Sequence, residues 1–447
     1  MTIGTAEPAG FRRARGGQRT LVDRDRTNGT TIAVLGADDA NLDVLRNMPG
    51  HEQHHFVPVL TPEEMQIGEV SIPDLLDRAV ATLDERDAPV DAIVGFWDFP
   101  ISTLVPLLAR HYGLHSSPLA AVVTCEHKYW SRLEQQKVTD ALPRFGLVDL
   151  DEPRLPDGLR YPVWLKPVKS YSSELAFHVA DDRQFTEAVA EIADGIGRLG
   201  RPFEWILDQL DLPPEIAEVG GQACLVEEAM TGARAATEGY VHDGHVVVYG
   251  VLDSIPYPER SSFLRHQYPS QLPERVQRQL VDVSERVIAQ VGLDWTTFSV
   301  EFFCDPESGD VSVLEINPRH SQSHAELFAD VDGIANHHAM VELALGRDPD
   351  MPSGKGPYEI AAKWYHRRFD DGVLRRGPSP EEIARVEREI PGVRLSPVPH
   401  EGQRLSELPA QDSYSFELTD VIVGARDEAE LEAKYERAVS GLTYEFT

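Results

Sequence analysis

Two β-rich segments joined by a polar connection form the clearest hydrophobic pattern in the chain. Residues 298–303 and 311–316 are rich in aromatic and β-branched side chains, whereas the connection at 305–310 contains proline, glycine and acidic residues. This pattern predicts an antiparallel hairpin. Because the far ends of two paired strands lie side by side, we expect Glu301 and Glu315 to meet on one face of the hairpin.

The side chains gathered at this end of the hairpin suit a divalent cation. Asn317 and Arg319 follow Glu315 at two-residue steps, so they are expected on the same side of the strand. Two carboxylates and an amide oxygen suit a hard cation such as Mg²⁺, which takes its remaining ligands from phosphate and water. Arg319 can place a planar cation against an anionic group. The pattern alone also allows an ordinary hairpin with carboxylates on its surface.

The first 120 residues alternate between buried-strand and helical patterns. Apolar runs at 31–36 and 91–96 predict strands, and helical patterns are present at 73–86 and 103–112. Strands that alternate with helices favour a small parallel α/β domain. The first strand ends in glycine, but the G-x-G-x-x-G dinucleotide pattern is absent. Residues 1–29 show no periodicity and are expected to form a flexible tail.

The remainder of the chain divides at a segment rich in proline and glycine, residues 346–357. A helix is predicted before this break at 273–291, and Gly292 is expected to end it. Strand and helix patterns after the break indicate an α+β segment. We therefore predict a tail at 1–29, a parallel α/β domain at 30–120, a central domain at 121–350 and a C-terminal α+β segment at 351–447.

Composition and charge restrict the class of partner. The chain has 42 basic and 74 acidic residues and a net charge of −32, which disfavours nucleic acid and membrane surfaces as partners. Any site for a phosphate-bearing ligand must therefore be a local positive region. The three cysteines lie far apart and indicate no disulfide framework. Together with the absence of a signal-peptide core and of a long apolar run, they predict a cytoplasmic protein.

The sequence Glu315-Ile316-Asn317-Pro318-Arg319, preceded by Glu301, resembles the metal-binding signature of the ATP-grasp superfamily. The resemblance implies an ATP-grasp fold of mixed α/β and α+β class, in which the central domain binds the nucleotide. It also implies ATP and Mg²⁺ as cofactors, with Mn²⁺ as an alternative metal. The implied metal ligands are Glu301, Glu315 and Asn317.

The same resemblance implies residues that hold the ATP phosphates. Lys128, near the start of a predicted helix, and Lys166, at the end of an apolar strand, resemble the two phosphate-binding lysines of the family. The segment that follows departs from the family, because it has serines where many members have a glycine-rich flap. Backbone amides and hydroxyls there, including Ser173, are expected to contact phosphate, and Lys169 is an additional candidate.

Residues 223–232 resemble the adenine hinge of the family. The resemblance implies that the backbone of Ala229 and Met230 pairs with the adenine edge and that Glu227 faces the adenine amino group. Arg234 stands where the family usually has a ribose-binding glutamate, so Glu238 is predicted as a substitute. An ordinary core strand flanked by two acidic residues remains the alternative.

Candidate catalytic residues come from three places: Arg319, Arg265 and His324. Arg265 lies in an Arg-His-Gln run similar to one in the biotin carboxylase branch, although it is also compatible with a polar loop. His324 lies four residues after His320, and we expect both to serve in a substrate pocket or in proton transfer. Zinc ligation by this pair is disfavoured, because no His-Glu-x-x-His frame is present.

The resemblance implies a carboxylate–amine ligase. In such an enzyme ATP phosphorylates a substrate carboxylate, and an amine displaces phosphate from the acyl phosphate. The partners implied are a small carboxylic acid and an amine, and a homodimer is also considered. One alternative is bicarbonate activation as in biotin carboxylases, which is disfavoured because Ser323 and Tyr268 replace the glutamate and lysine of that branch. The other is a nucleotide-binding protein without turnover.

Overall fold

The computed structural model describes residues 29–86, 88–171, 174–260, 262–408 and 415–447. Almost all of the predicted tail, residues 1–28, lies outside the described residues, and so does Ser173. Within the described ranges, no helix is long and apolar enough to cross a membrane.

The N-terminal part contains a three-stranded parallel sheet in the order β2-β1-β3. Its elements alternate as predicted: β1 (Thr31–Leu35), α1 (Asp39–Asn47), β2 (His55–Val59), α2 (Pro62–Gln66), α3 (Ile72–Asp84), β3 (Ala92–Val94) and α4 (Ile101–Tyr112). The three strands are almost entirely apolar, apart from the half-exposed β2, since helices cover both faces of a parallel sheet. The prediction of a parallel α/β arrangement is confirmed.

A four-stranded antiparallel sheet in the order β4-β7-β5-β6 follows. Its surrounding elements are α5 (Leu119–Glu126), α6 (Lys128–Gln135), β4 (Phe145–Val148), β5 (Val163–Pro167), β6 (Phe177–Val179), α7 (Asp182–Gly195), α8 (Gly197–Leu207), α9 (Pro214–Val219) and β7 (Cys224–Glu228). A break at His127 separates α5 from α6. The His127 ring accepts a hydrogen bond from the Trp130 amide at 3.2 Å and so caps α6, which places Lys128 at the first helical position.

The largest sheet has eight strands in the order β12-β11-β8-β9-β10-β13-β16-β15. Its strands and the accompanying helices are β8 (Ala233–His242), β9 (His245–Pro256), β10 (Phe263–Tyr268), α10 (Glu274–Val291), β11 (Thr296–Cys304), β12 (Val311–Asn317), α11 (Ala325–Asp332), α12 (His337–Ala344), β13 (Ile360–Arg368), α13 (Pro380–Glu389), β15 (Val393–Pro397), β16 (Phe416–Ala425) and α14 (Glu428–Ser440). A separate two-stranded sheet pairs β14 (Leu374–Arg376) with β17 (Glu445–Phe446). Single 3₁₀ turns lie at Gln322–His324 and Leu405–Glu407.

Side-chain alternation on β11 decides which face of the large sheet carries polar groups. Phe298, Val300 and Phe302 have no exposed surface and pack in one core with the apolar side of α10. Glu301 lies between Val300 and Phe302 and therefore points to the opposite face. The helix α10 thus fixes the register of the sheet, because a shift by one residue would bury Glu301 beneath it.

Candidate active site

The hairpin of β11 and β12 has the register that the sequence predicted. Glu301 lies opposite Glu315, and Ser299 lies opposite Asn317. The side-chain amide of Asn317 donates to Glu301 Oε1 at 3.1 Å. The three side chains offered as metal ligands are therefore gathered on one face at the end of the hairpin.

The two carboxylates of this hairpin have different electrostatic surroundings. Burial and the neighbouring Glu315 raise the pKa of Glu301 above its usual value. Burial would also raise the pKa of Glu315, but nearby lysines, Lys128 first among them, lower it overall. The negative charge of Glu315 is thus already balanced by protein cations, whereas that of Glu301 favours an additional cation.

Lys128 and Lys166 lie beside these carboxylates. Lys128 Nζ donates to Glu315 Oε1 at 2.6 Å and to the backbone oxygen of Ser170 at 2.8 Å. Lys166 Nζ is 2.6 Å from Glu227 Oε2. The side chains of Lys128 and Lys166 are 11% and 12% exposed, so an anion that enters the cleft can reach their ammonium groups.

Glu227 does not have the surroundings expected of an adenine-facing group. Its side chain is 3% exposed, and its other oxygen accepts from Arg132 Nε at 2.5 Å. Burial alone would raise the pKa of Glu227, but Arg132 and Lys166 lower it to about 2. Glu227 thus holds two cations in this structure, and its predicted contact with the adenine amino group stays a prediction. Arg132 was missed, although its position four residues after Lys128 puts both on one face of α6.

The loop after β7 was expected to meet adenine through its backbone. The Ala229 amide donates to the Pro162 carbonyl at 2.9 Å and is therefore already used within the sheet. Met230 follows, half-buried, beyond the last paired residue of β7. The adenine contacts predicted for these two residues stay predictions, and the amide of Ala229 is the less available of the two groups.

Arg319 contacts a partner that the sequence did not indicate. Its Nε and Nη2 atoms donate to Asp98 Oδ1 at 2.9 and 2.6 Å. Asp98 follows β3, at the carboxyl end of the parallel sheet, which is the edge where α/β sheets commonly bind ligands. That placement was the available signal for Asp98. The N-terminal part therefore contributes a carboxylate to the same cleft as the hairpin.

Lys169 is the most deeply buried lysine described near the cleft. Lys169 contacts the carboxylate of Glu126, which also accepts from Ser102 Oγ at 2.6 Å. The ammonium group lies 4.9 Å from the ring centre of Phe99. Burial lowers the pKa of Lys169 to about 8. Lys169 was predicted as an additional phosphate contact, but in the structure its ammonium group forms a buried ion pair with Glu126.

Glu238 was predicted to bind ribose, but it is buried among protein partners in the structure. Its side chain has no exposed surface, and it accepts hydrogen bonds from Asn336 Nδ2 at 2.9 Å and Tyr249 Oη at 3.0 Å. It also lies 2.6 Å from His324 Nδ1. The physical reason is its position: Glu238 is in the middle of β8, opposite Ser299, under the segment that carries His324.

His324 combines a strong partner on one nitrogen with none on the other. Its Nδ1 faces Glu238, whereas its buried Nε2 has no hydrogen-bond partner among the described residues. The ring of His266 on β10 lies 4.8 Å away. His320, the other histidine of the pair, is bound instead between Thr297 Oγ1 and His337 Nδ1, each at 3.0 Å. The two histidines are nevertheless connected, because Asn336 contacts both Glu238 and His337.

Arg265, predicted as a catalytic residue, does not face the cleft. Its guanidinium pairs with Glu428 at 2.8 Å and with Glu432 at 2.9 Å, and lies 5.0 Å from the ring centre of Trp364. Adjacent strand residues point to opposite faces. Arg265 consequently faces α14, whereas its neighbour His266 faces the cleft.

A comparison with protein families identifies the domain that carries these groups. Residues 159–326 match the model of the ATP-grasp domain. This range contains Lys166, the loop after β7 and the complete hairpin. The resemblance inferred from the hairpin signature is therefore confirmed, and the match covers a part of the chain.

Curated relatives match short parts of the chain. The carbamoyl phosphate synthase large chain of Paenarthrobacter aurescens is 40% identical over 75 residues, which is 17% of this chain and 7% of that protein. The corresponding protein of Xylella fastidiosa is 30% identical over 173 residues, which is 36% of this chain and 15% of that protein. The chain thus matches only a small fraction of the length of these relatives.

Solved structures resemble the chain over nearly all of its length. An L-amino acid ligase from Bacillus licheniformis superimposes with a TM-score of 0.68 at 16% identity, covering 94% of this chain and 99% of that one. A phosphoribosylglycinamide synthetase from Anaerococcus prevotii gives a TM-score of 0.65 at 14% identity, covering 94% and 100%. At such identities the likeness establishes the fold, which is the ATP-grasp fold.

Proposed function

We propose, from the premise that this chain carries an ATP-grasp domain, that the protein is an ADP-forming ligase that joins a carboxylate to an amine. The observation that carries the proposal is the pairing of Glu301 with Glu315 at one end of a cleft that also holds Lys128 and Arg319. This combination provides a cation site beside positive groups, which is what transfer of a phosphoryl group requires.

Mg²⁺ is the metal that the hairpin suits, with Mn²⁺ as the alternative. The raised pKa of Glu301, caused by burial and by its neighbour Glu315, indicates two like charges that a divalent cation would balance. Glu301, Glu315 and Asn317 would hold the ion through oxygen atoms. An ion held there would supply positive charge to balance the phosphate groups of the nucleotide.

The cations of the cleft are assigned to the phosphates and to the reacting carboxylate. Lys128 and Lys166 would turn from Glu315 and Glu227 towards the phosphate oxygens, since each ammonium group is near the cleft surface. Arg319 would leave Asp98 and bind the acyl phosphate, where a planar guanidinium can stabilise the developing oxyanion. The ion pairs of the ligand-free structure thus keep these cations in position.

We assign proton transfer to His324. The amine nitrogen would attack the carbonyl carbon of the acyl phosphate, the bond from that carbon to the phosphate oxygen would break, and the amine proton would pass to His324 Nε2. Glu238 holds the ring through Nδ1, which leaves Nε2 as the acceptor. Glu238, Ser299 and Asn317 lie opposite one another on three adjacent strands, so this histidine is on the metal-binding face of the sheet.

Hydroxylamine trapping tests the proposed reaction. The full chain would be incubated with ATP, Mg²⁺, hydroxylamine and a panel of carboxylic acids, and both hydroxamate and ADP would be measured. We expect one class of acid to give hydroxamate in step with ADP, and Glu315→Gln to abolish both while keeping the unfolding curve of a folded protein. Undiminished turnover in Glu315→Gln would remove the metal assignment, and ADP release without hydroxamate from any acid would remove the acyl phosphate.

We further propose a homodimer and a cytoplasmic location. We also propose domains at residues 30–120, 121–350 and 351–447. The first boundary is supported by the three-stranded sheet, which ends before residue 120. The large sheet joins the second and third of these domains, because β13 pairs with β10.

A further inference from the structure

We propose that His51, His338 and Glu342 form a binding site for a transition-metal cation, with Zn²⁺ as the best match. The site is separate from the carboxylate pair of the hairpin. His51 lies in the loop between α1 and β2, and the other two residues lie on α12. Metal binding there would join the N-terminal part of the molecule to the helix that packs beside it.

The three side chains converge although they are far apart in sequence. One ligand atom from each residue lies within 4.8 Å of the others. The closest pair is His51 Nε2 and His338 Nδ1, which are 2.7 Å apart although the two residues are separated by 287 positions. A bound ion would sit between these atoms and move them slightly apart, because zinc–nitrogen bonds are about 2.0–2.1 Å.

The protonation of His338 favours ligation through Nδ1. Its Nε2 atom is 2.7 Å from the carbonyl oxygen of Pro349, which can only accept a hydrogen bond. Nε2 therefore carries the proton in the neutral ring, and Nδ1 presents a lone pair towards His51. Histidines that bind metals are commonly anchored in this way, with the other ring nitrogen donating to a carbonyl group.

A buried histidine beside the cluster offers a further ligand atom. His54 is 8% exposed, its ring centre lies 5.1 Å from that of His51, and its Nδ1 has no hydrogen-bond partner among the residues that the structure describes. A buried polar atom without a partner is unfavourable, so a cation that accepts this lone pair would stabilise the cluster. The Nδ1 of His51 is also unpartnered among these residues, but it lies on the other side of the ring from the Nε2 atom that faces His338.

The donor set distinguishes the class of cation. Two imidazole nitrogens and one carboxylate oxygen suit Zn²⁺, Co²⁺ or Ni²⁺, whereas Mg²⁺ prefers oxygen ligands. The Glu342 side chain is 13% exposed, and its contact with Arg347 is long, at 3.3 Å, so the carboxylate can exchange this partner for a metal. His54 or water would supply the fourth ligand. The alternative, a hydrogen-bonded pair of His51 and His338, leaves the buried Nδ1 of His54 without a partner among the described residues.

Zinc titration of the full chain without a histidine tag tests the site. A chromophoric chelator would report free Zn²⁺ in the presence of excess Mg²⁺, and Co²⁺ absorption would report the ligand set. We expect one tightly held Zn²⁺ per chain and a rise in melting temperature with added Zn²⁺. His51→Ala, His338→Ala and the milder Glu342→Gln should each weaken binding at least roughly tenfold, since outer and inner ligands contribute on that scale.

Two matched variants locate the bound ion. His178→Ala removes an exposed histidine from another sheet and should leave zinc affinity unchanged. Glu315→Gln removes a carboxylate of the hairpin, so unchanged zinc affinity together with lost ligase activity would separate this site from the proposed active site. The inference is overturned if the chain binds no stoichiometric Zn²⁺, or if Glu342→Gln and His338→Ala both bind it as tightly as the unaltered protein.

Discussion

Two regions of the eight-stranded sheet use ion pairs in different ways. At the β12–β11 end, Glu315 pairs with Lys128 but keeps 36% of its side-chain surface exposed. At the β10–β13 pair in the interior of the sheet, Arg265 is 7% exposed and lies between Trp364 and the acidic side chains of α14. A ligand can replace a partner in the first pair without opening the fold, whereas reaching Arg265 requires displacement of α14. The solvent exposure of an ion pair, more than the types of its residues, therefore distinguishes a binding site from a structural contact.

The strongest test of this comparison is Lys128→Ala. We expect ATP-dependent turnover to fall roughly 1000-fold, or about 4 kcal/mol in the activation barrier, because a cation directed at the phosphates is lost. Urea unfolding of the same sample should show a stable fold. Lys137→Ala, which removes an exposed lysine just beyond α6, is the matched control and should keep the original rate. Equal rates in both variants would show that this end of the sheet is not a phosphate site.

Glu227→Gln tests the buried pair behind the cleft through its pH dependence. The pKa of Glu227 is lowered to about 2 from an ordinary 4.5, so its contribution to stability is complete above pH 4.5 and is lost as the pH falls towards 2. This contribution is about 3 kcal/mol at neutral pH. Between pH 5 and pH 3, the free energy of unfolding measured with urea should therefore fall less steeply with decreasing pH in the variant than in the unaltered protein. The difference in slope corresponds to the uptake of up to one proton per molecule on unfolding. Parallel curves for the two proteins would contradict the assignment.

Arg265→Ala tests the region around β10 and β13. We expect the free energy of unfolding to fall by about 2 kcal/mol, because the contact with Trp364 and two ion pairs are lost while the released carboxylates remain partly hydrated. Turnover per folded molecule should be unchanged. Arg278→Ala removes an exposed ion pair from α10 and should have almost no effect on stability. A specific loss of turnover in Arg265→Ala would restore its predicted catalytic role.

The smallest expected effect is that of Glu428→Gln. Its side chain is 47% exposed, and Glu432 still holds the other side of the Arg265 guanidinium. We expect a loss of about 0.5 kcal/mol that disappears in high salt, since exposed ion pairs are weak and screened. Thermal melts at low and high ionic strength measure it. A loss as large as that of Arg265→Ala would mean that this single pair, and not the packing on Trp364, holds α14.

The sequence determined the hairpin and the face that carries its carboxylates. Alternation along β11 separates Glu301 from Phe302, and the two-residue step on β12 puts Glu315 and Asn317 on one side. Two backbone features are also indicated by the sequence: the turn at Asp243 and Gly244, and the end of α10 at Gly292. All three residues have positive φ, and such conformations favour a small set of residue types. These features depend on contacts within a few residues, which is the range over which sequence patterns act.

The tertiary structure decided which partner each charged residue received. Arg319 meets Asp98 across 221 positions, and no local pattern specifies that encounter. Arg265 and His266 point to opposite faces of β10, and only the packing of α14 decided which face was covered. Glu238 likewise became a buried hub for His324 once the segment after β12 folded over β8. Periodicity assigns a side chain to a face, whereas its solvation and its partners depend on which distant element packs there.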